Sequence, residues 1–116
     1  MKEGSHEEIM PLLGLPLGEL YARIPEHTPE FADVMFGPGE AEKAGREIFE
    51  SLRSALHQRV CVDWDLPSKL DDPVAQDAVG LTVAVADVVS SLTLGVPPFL
   101  IATILVKIGI RQFCSE

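Results

Sequence analysis

The sequence predicts an all-α fold: a small single-domain helical bundle of three main helices plus a short amino-terminal one, with a hydrophobic carboxy-terminal helical hairpin. Three observations predict it. Apolar residues recur at spacings of three and four from Gly39 to Gln58, the period of one helix face. The run from Pro73 to Leu92 is apolar on nearly every face and too long for an ordinary strand, which makes it a central helix. Gly95, Pro97 and Pro98 stop that helix and start another, and so short a connection favours an antiparallel pair. With 116 residues, 47% of them hydrophobic and 23% charged, the chain has the composition of a globular protein of one domain.

The elements follow in order. Residues 1–8 are polar, carry no period and read as a disordered tail, which leaves 9–116 as a single helical domain. Behind Pro16, the residues Leu17, Leu20, Tyr21 and Ile24 form a short helix. Prolines at 25, 29 and 38 break any long element up to Gly39, so this stretch is a loop with room for one helical turn. On the next helix Ala41, Ala44, Ile48, Leu52, Ala55 and Leu56 share a face, and Glu42 and Arg46 form a four-residue ion pair. Gly45 costs about 1 kcal/mol relative to alanine and therefore marks a close helix crossing.

From Arg59 to Asp65, Val60, Val62 and Trp64 alternate with Cys61, Asp63 and Asp65, which reads as an extended connector. Asp72 has the chemistry of a helix cap, and Pro73 suits the first helical position. Asp77, Gly80, Ala84, Asp87 and Ser91 make a small or polar stripe that could seat another helix. The last helix runs from Pro98 to Phe113 with Thr103, Lys107 and Arg111 on its wet side, and a partly buried Asp87–Lys107 pair is expected across the hairpin.

Charge and chemistry narrow the function. A formal charge of −9 repels phosphate backbones, which argues against nucleic acid and for a basic protein partner. No leader-like segment opens the chain, so its expected location is the cytoplasm and Cys61 and Cys114 are expected as small buried hydrophobes. His57, Cys61 and Asp63 contain the residue types of a thiol nucleophile, its base and an orienting carboxylate. A helix end followed by an extended run points them apart, however, so the chain is expected not to be an enzyme.

Scattered histidines, two distant cysteines and the absence of a glycine-rich phosphate loop give no metal or cofactor site. The aspartates at 63, 65, 71 and 72 lack the glycine and terminal glutamate of a calcium loop. What remains is Trp64, the single tryptophan, among Asp63, Asp65, Asp71 and Asp72. Tryptophan is enriched among residues that dominate protein interfaces. The expected function is thus a non-enzymatic acidic protein–protein interaction module, an adaptor, regulator or immunity-type partner of a basic protein, with those five residues at its contact. The alternative is a membrane-associated or self-assembling helical hairpin, because the uncharged run Val88 to Val106 is long enough to cross a bilayer, although Pro97 and Pro98 interrupt it. A homodimer through that hairpin is the simplest form of self-assembly.

Overall fold

Pro16 holds an extended backbone, φ −67° and ψ 157°, from which the chain turns directly into α1, Leu17–Arg23. The computed structural model describes residues 10–27, 37, 39–71, 77–92 and 96–115, which leaves the expected tail, Asp72 and Pro73 outside the described residues. All regular structure in them is helical, with no strand. A 3-10 turn, Pro25–His27, ends the first unit. Gly39, at φ 81°, reverses the chain into α2, Glu40–His57.

The buried face of α2 is Gly45, Phe49, Leu52 and Leu56. Its centre is rotated from the expected one: Ala41, Ala44 and Ile48 are half-buried and Ala55 is exposed. Phe49 explains the roll, because an aromatic ring removes far more apolar surface from water than the methyl of Ala55 does. Gly45 is a close crossing, as its sequence position implies. A Cβ there would overlap the main-chain carbonyl of Tyr21 in α1. Arg46 covers the crossing with its guanidinium 4.5 Å from the Tyr21 ring centre, while its Nη2 donates to Glu42 at 2.7 Å.

Phe49 links three elements. Its ring meets Tyr21 edge-on at 5.6 Å and Phe113 at 6.4 Å. Each such pair contributes about 0.5–1.5 kcal/mol beyond its area burial. Phe49→Leu keeps most of the apolar volume and loses both, so we expect a cost of about 2 kcal/mol and a Tm lower by roughly 8 °C. Thermal unfolding followed by circular dichroism checks this, and an unchanged Tm would show that the ring contacts contribute nothing.

Beyond α2 the helix does not give way to an extended connector. Gln58–Asp63 continues it as a π-helix with one buried residue, Val60, followed by a 3-10 turn, Leu66–Lys69. Neither Gly nor Pro interrupts the chain from Arg46 to Leu66, and among the described residues no strand competes for its backbone groups. The inward positions Leu52, Leu56, Val60 and Trp64 step by four, and each step overshoots an α-helical turn by about 40°. The wider π turn absorbs that overshoot and keeps Val60 and Trp64 against the core.

The carboxy-terminal half begins with Asp77, whose side chain caps α3, Ala78–Val89, by accepting from the Gly80 amide at 3.1 Å. Its inner face is Val79, Leu81, Thr82, Val85 and Val89. The expected seating stripe is instead the outer face: Asp77, Asp87 and Ser91 are exposed, and Gly80 and Ala84 are half-buried. After a 3-10 turn, Ser90–Leu92, Pro98 starts α4, Pro98–Ile108. Gly109, at φ 100°, divides the expected single helix and α5, Ile110–Ser115, follows it.

Helices α1 and α2 pack on each other, as do α3 and α4, and α1 also reaches α4. One core cluster joins them, running from Leu12 through Phe49, Val85, Ile101 and Leu105 to Phe113. Thr103, expected wet, is fully buried; its hydroxyl donates to the Phe99 carbonyl at 2.7 Å, and Thr82 makes the same bond to Ala78 at 2.7 Å. Asp87 and Lys107 are both exposed, so the expected buried pair is not how this hairpin closes. Position 87 is about half a turn from the end of α3 and 107 about two and a half turns from the start of α4, which puts them at different heights. Lys107 instead donates to the Leu13 carbonyl at 2.9 Å and ties α4 to the amino-terminal segment.

The uncharged run is spent on the core: Val89, Val96 and Leu100 through Leu105 are all buried. Among the described residues, no helix is long and apolar enough to cross a membrane. Cys61 and Cys114 are not the free buried thiols expected. They form a disulfide with Cα atoms 5.5 Å apart, and it ties the π turn to α5.

Candidate functional site

The surface built by the π turn brings Asp63, Trp64 and Asp65 together. The Trp64 amide donates to the Arg59 carbonyl at 3.1 Å, the last wide-turn bond of this segment. Its side chain is half-buried against the core beside the fully inward Leu66, which holds the indole at the margin between apolar interior and water. Asp65 then adopts the left-handed conformation, φ 54°, which aspartate tolerates better than most side chains, and its carbonyl accepts from the Ser68 hydroxyl at 2.8 Å. Lys69 donates its ammonium to the Trp64 carbonyl. The loop bearing the two carboxylates is thereby fixed by its own main chain.

Asp63 and Asp65 are exposed, and Asp63 accepts from the Gln58 amide at 2.9 Å. Asp71 is also exposed, just beyond the 3-10 turn, and Asp72 lies outside the described residues. Beside the carboxylates stands Val62, 55% exposed although it is apolar. Alternation in the sequence puts Val62 on the side of Val60 and Trp64. A helical reading would have turned it outward, and that signal was available once the segment was drawn at helical period.

Two shallow hollows flank this turn. One, of about 230 Å³, is lined by Arg59, Asp63, Trp64 and Val88. The other, of about 340 Å³, is lined by Ala55, Gln58, Arg59, Asp63, Ser91 and Leu92. They share Arg59 and Asp63, and the Arg59 Nε donates at 3.3 Å to the Val88 carbonyl, bridging the π turn to the end of α3. Neither Arg59 nor Gln58 had a signal in the sequence that separated it from an ordinary solvated side chain.

The residues of the thiol-enzyme reading are engaged elsewhere. The Cys61 sulfur is bonded to Cys114, the His57 ring nitrogen Nε2 lies 3.2 Å from the Cys114 carbonyl, and Asp63 is held by Gln58. A third hollow, of about 400 Å³, has Glu50, Arg53, Ser54, His57, Gln58 and Phe113 on its walls. Arg53 caps the aromatic line there, 5.2 Å from the Phe113 ring centre and 5.7 Å from that of Phe49, with two 2.9 Å bonds to Glu50. The guanidinium serves packing, because its planar face covers apolar rings while its edge meets a carboxylate. Compared with known proteins, the chain matches no family model, no curated protein and no solved structure.

Proposed function

We propose that the chain is a non-enzymatic, acidic protein–protein interaction module, an adaptor or regulator that takes a basic protein partner at the turn formed by Val62, Asp63, Trp64 and Asp65, with Asp71 beside it. One observation carries this reading: an exposed apolar side chain and a half-buried indole sit between carboxylates on a segment braced by its own hydrogen bonds. Such a surface offers an apolar centre and a charged rim, the usual anatomy of a protein interface. A net charge of −9 adds long-range attraction for a basic surface. We read the helices as a small bundle with the carboxy-terminal hairpin at its centre, so that the turn is an outer element.

A hairpin acting in a membrane or assembling with itself has less support. The residues it would use, Leu100 through Leu105, are already covered by the rest of the chain. For the compartment we keep the cytoplasm; there a Cys61–Cys114 bond would be a transient, redox-responsive one.

The test has two stages. The tagged protein is captured from its host, and a basic protein recovered at near-stoichiometric ratio is identified by mass spectrometry. Association is then timed against salt. We expect the rate to fall about tenfold between low and high ionic strength, and Asp63→Asn, Asp65→Asn and Asp71→Asn together to remove most of that dependence. Trp64→Ala should raise the dissociation rate by at least about tenfold. Recovery of the protein alone, or a salt-indifferent rate, would refute the reading.

A further inference from the structure

We propose that the Cys61–Cys114 disulfide is a redox latch on this surface: a site of thiol–disulfide exchange whose reduction loosens the π turn and alters how Val62, Asp63 and Trp64 are presented. The proposal rests on reading that turn as the interaction surface. It names what would regulate it.

Placement carries the argument. The bond joins the π turn to α5 across 53 positions of sequence. Both cysteines are half-buried, so neither is sealed in the core as Val60 and Phe113 are. A thiolate can attack a sulfur only where access allows, and these two residues pack on the core cluster without being sealed inside it.

The two elements it joins are anchored unequally. With the bond open, α5 still has Ile110 at 4% and Phe113 at 0% exposure, and the His57 ring still holds the Cys114 carbonyl. The π turn has only Val60 buried among its six residues, and outside its own helix it is held by the exposed Arg59 bond to the Val88 carbonyl. The i→i+5 ladder is also the least common helical geometry, which occurs mostly as single turns and often at functional sites. Opening the bond therefore leaves α5 docked, and the change falls on the segment that ends in Asp63 and Trp64.

The chemistry balances with a protein dithiol as reductant. Its thiolate attacks one sulfur of the pair, forms a mixed disulfide and expels the other as a thiolate. Its second thiol then attacks the mixed disulfide and releases the remaining cysteine. Two electrons and two protons pass to Cys61 and Cys114, and the reductant leaves as a disulfide. Cytoplasmic surroundings supply such dithiols continually.

Trp64 is the single tryptophan and follows the π turn directly, so its fluorescence reports on this segment alone. The full chain is compared oxidised and with dithiothreitol, well below its melting temperature, by Trp64 emission, amide hydrogen exchange and far-ultraviolet circular dichroism. A Cys61→Ala, Cys114→Ala double variant runs beside it. Reduction should shift Trp64 emission and speed exchange at residues 58–65 by more than the general acceleration that the lost cross-link brings to α4, while total helicity holds. The double variant should match the reduced protein and ignore reductant. Unchanged emission, or exchange at the π turn sped no more than in α4, would overturn the latch, and so would a loss of helicity throughout the chain; either would make the bond a general staple. No readout involves a partner, so a failed latch leaves the interaction surface standing, and an absent partner leaves the latch measurable.

Discussion

Gly45→Ala should lower the stability of this protein by about 3 kcal/mol, against the usual rule that alanine is the better helix residue. Alanine gains about 1 kcal/mol of helix propensity at this site, but its Cβ would overlap the Tyr21 carbonyl and come within 3.3 Å of Pro25 Cδ. The obstacle is main chain, which has no rotamer to change. Around it Leu20, Tyr21 and Ile24 are fixed in the core at 0%, 4% and 0% exposure. Relief requires α1 and α2 to separate, which draws Tyr21 away from Phe49. Overpacking of a core ordinarily costs about 1–3 kcal/mol, and a backbone clash belongs at or above the top of that range. Gly39→Ala is the control: nothing lies within 4 Å of its Cβ, and only its φ of 81° opposes the change, for about 1 kcal/mol. Urea unfolding of both variants checks the difference. Equal midpoints would mean that the crossing is looser than described.

Gly45 also shows how much of the fold could be read in advance. Periodicity identified α1, α2 and the two carboxy-terminal helices, because an amphipathic or wholly apolar repeat is a local property. Glu42 and Arg46 pair at 2.7 Å for the same reason: their meeting depends only on helix geometry. The centre of the α2 face was legible too: Phe49 stands three residues before Leu52 and seven before Leu56, and its ring outweighs the methyl of Ala55.

Residues 58–63 were misread because Val60, Val62 and Trp64 satisfy a period of two, while Val60 and Trp64 alone satisfy one of four that turns Val62 outward. The described residues hold no strand to pair with it, which favours the helical period. The candidate site was legible as composition, an indole among aspartates. Its exposed Val62 follows once the segment is drawn at helical period, whereas the tie of its turn to α5 required the third dimension. The pairing of Cys61 with Cys114 had no local signature, since their approach depends on how α5 packs beside α2.

Replacing both Cys61 and Cys114 by alanine should cost about 4 kcal/mol, the largest effect expected of any change discussed. The bond closes a loop over a sequence separation of 53. Chain-entropy arguments assign such a loop a loss of roughly 14 cal/mol/K in the unfolded ensemble, which is about 4 kcal/mol at room temperature. Small domains are stable by about 5–15 kcal/mol, so the variant should still fold, as a reversible latch requires. Single variants would leave a free thiol able to pair between molecules, which makes the double variant the cleaner test. Because the cross-link acts mainly on the unfolded chain, its removal should also raise the denaturant m value, as the unfolded state expands and exposes more surface. A packing defect at the same site would move the midpoint without raising m. Urea unfolding of the wild type with and without dithiothreitol, beside the double variant, separates the two: a lower midpoint with a steeper slope marks a lost cross-link, and a lower midpoint at constant slope marks lost contacts. A wild-type midpoint indifferent to reductant would remove the bond from the energetics of the fold altogether.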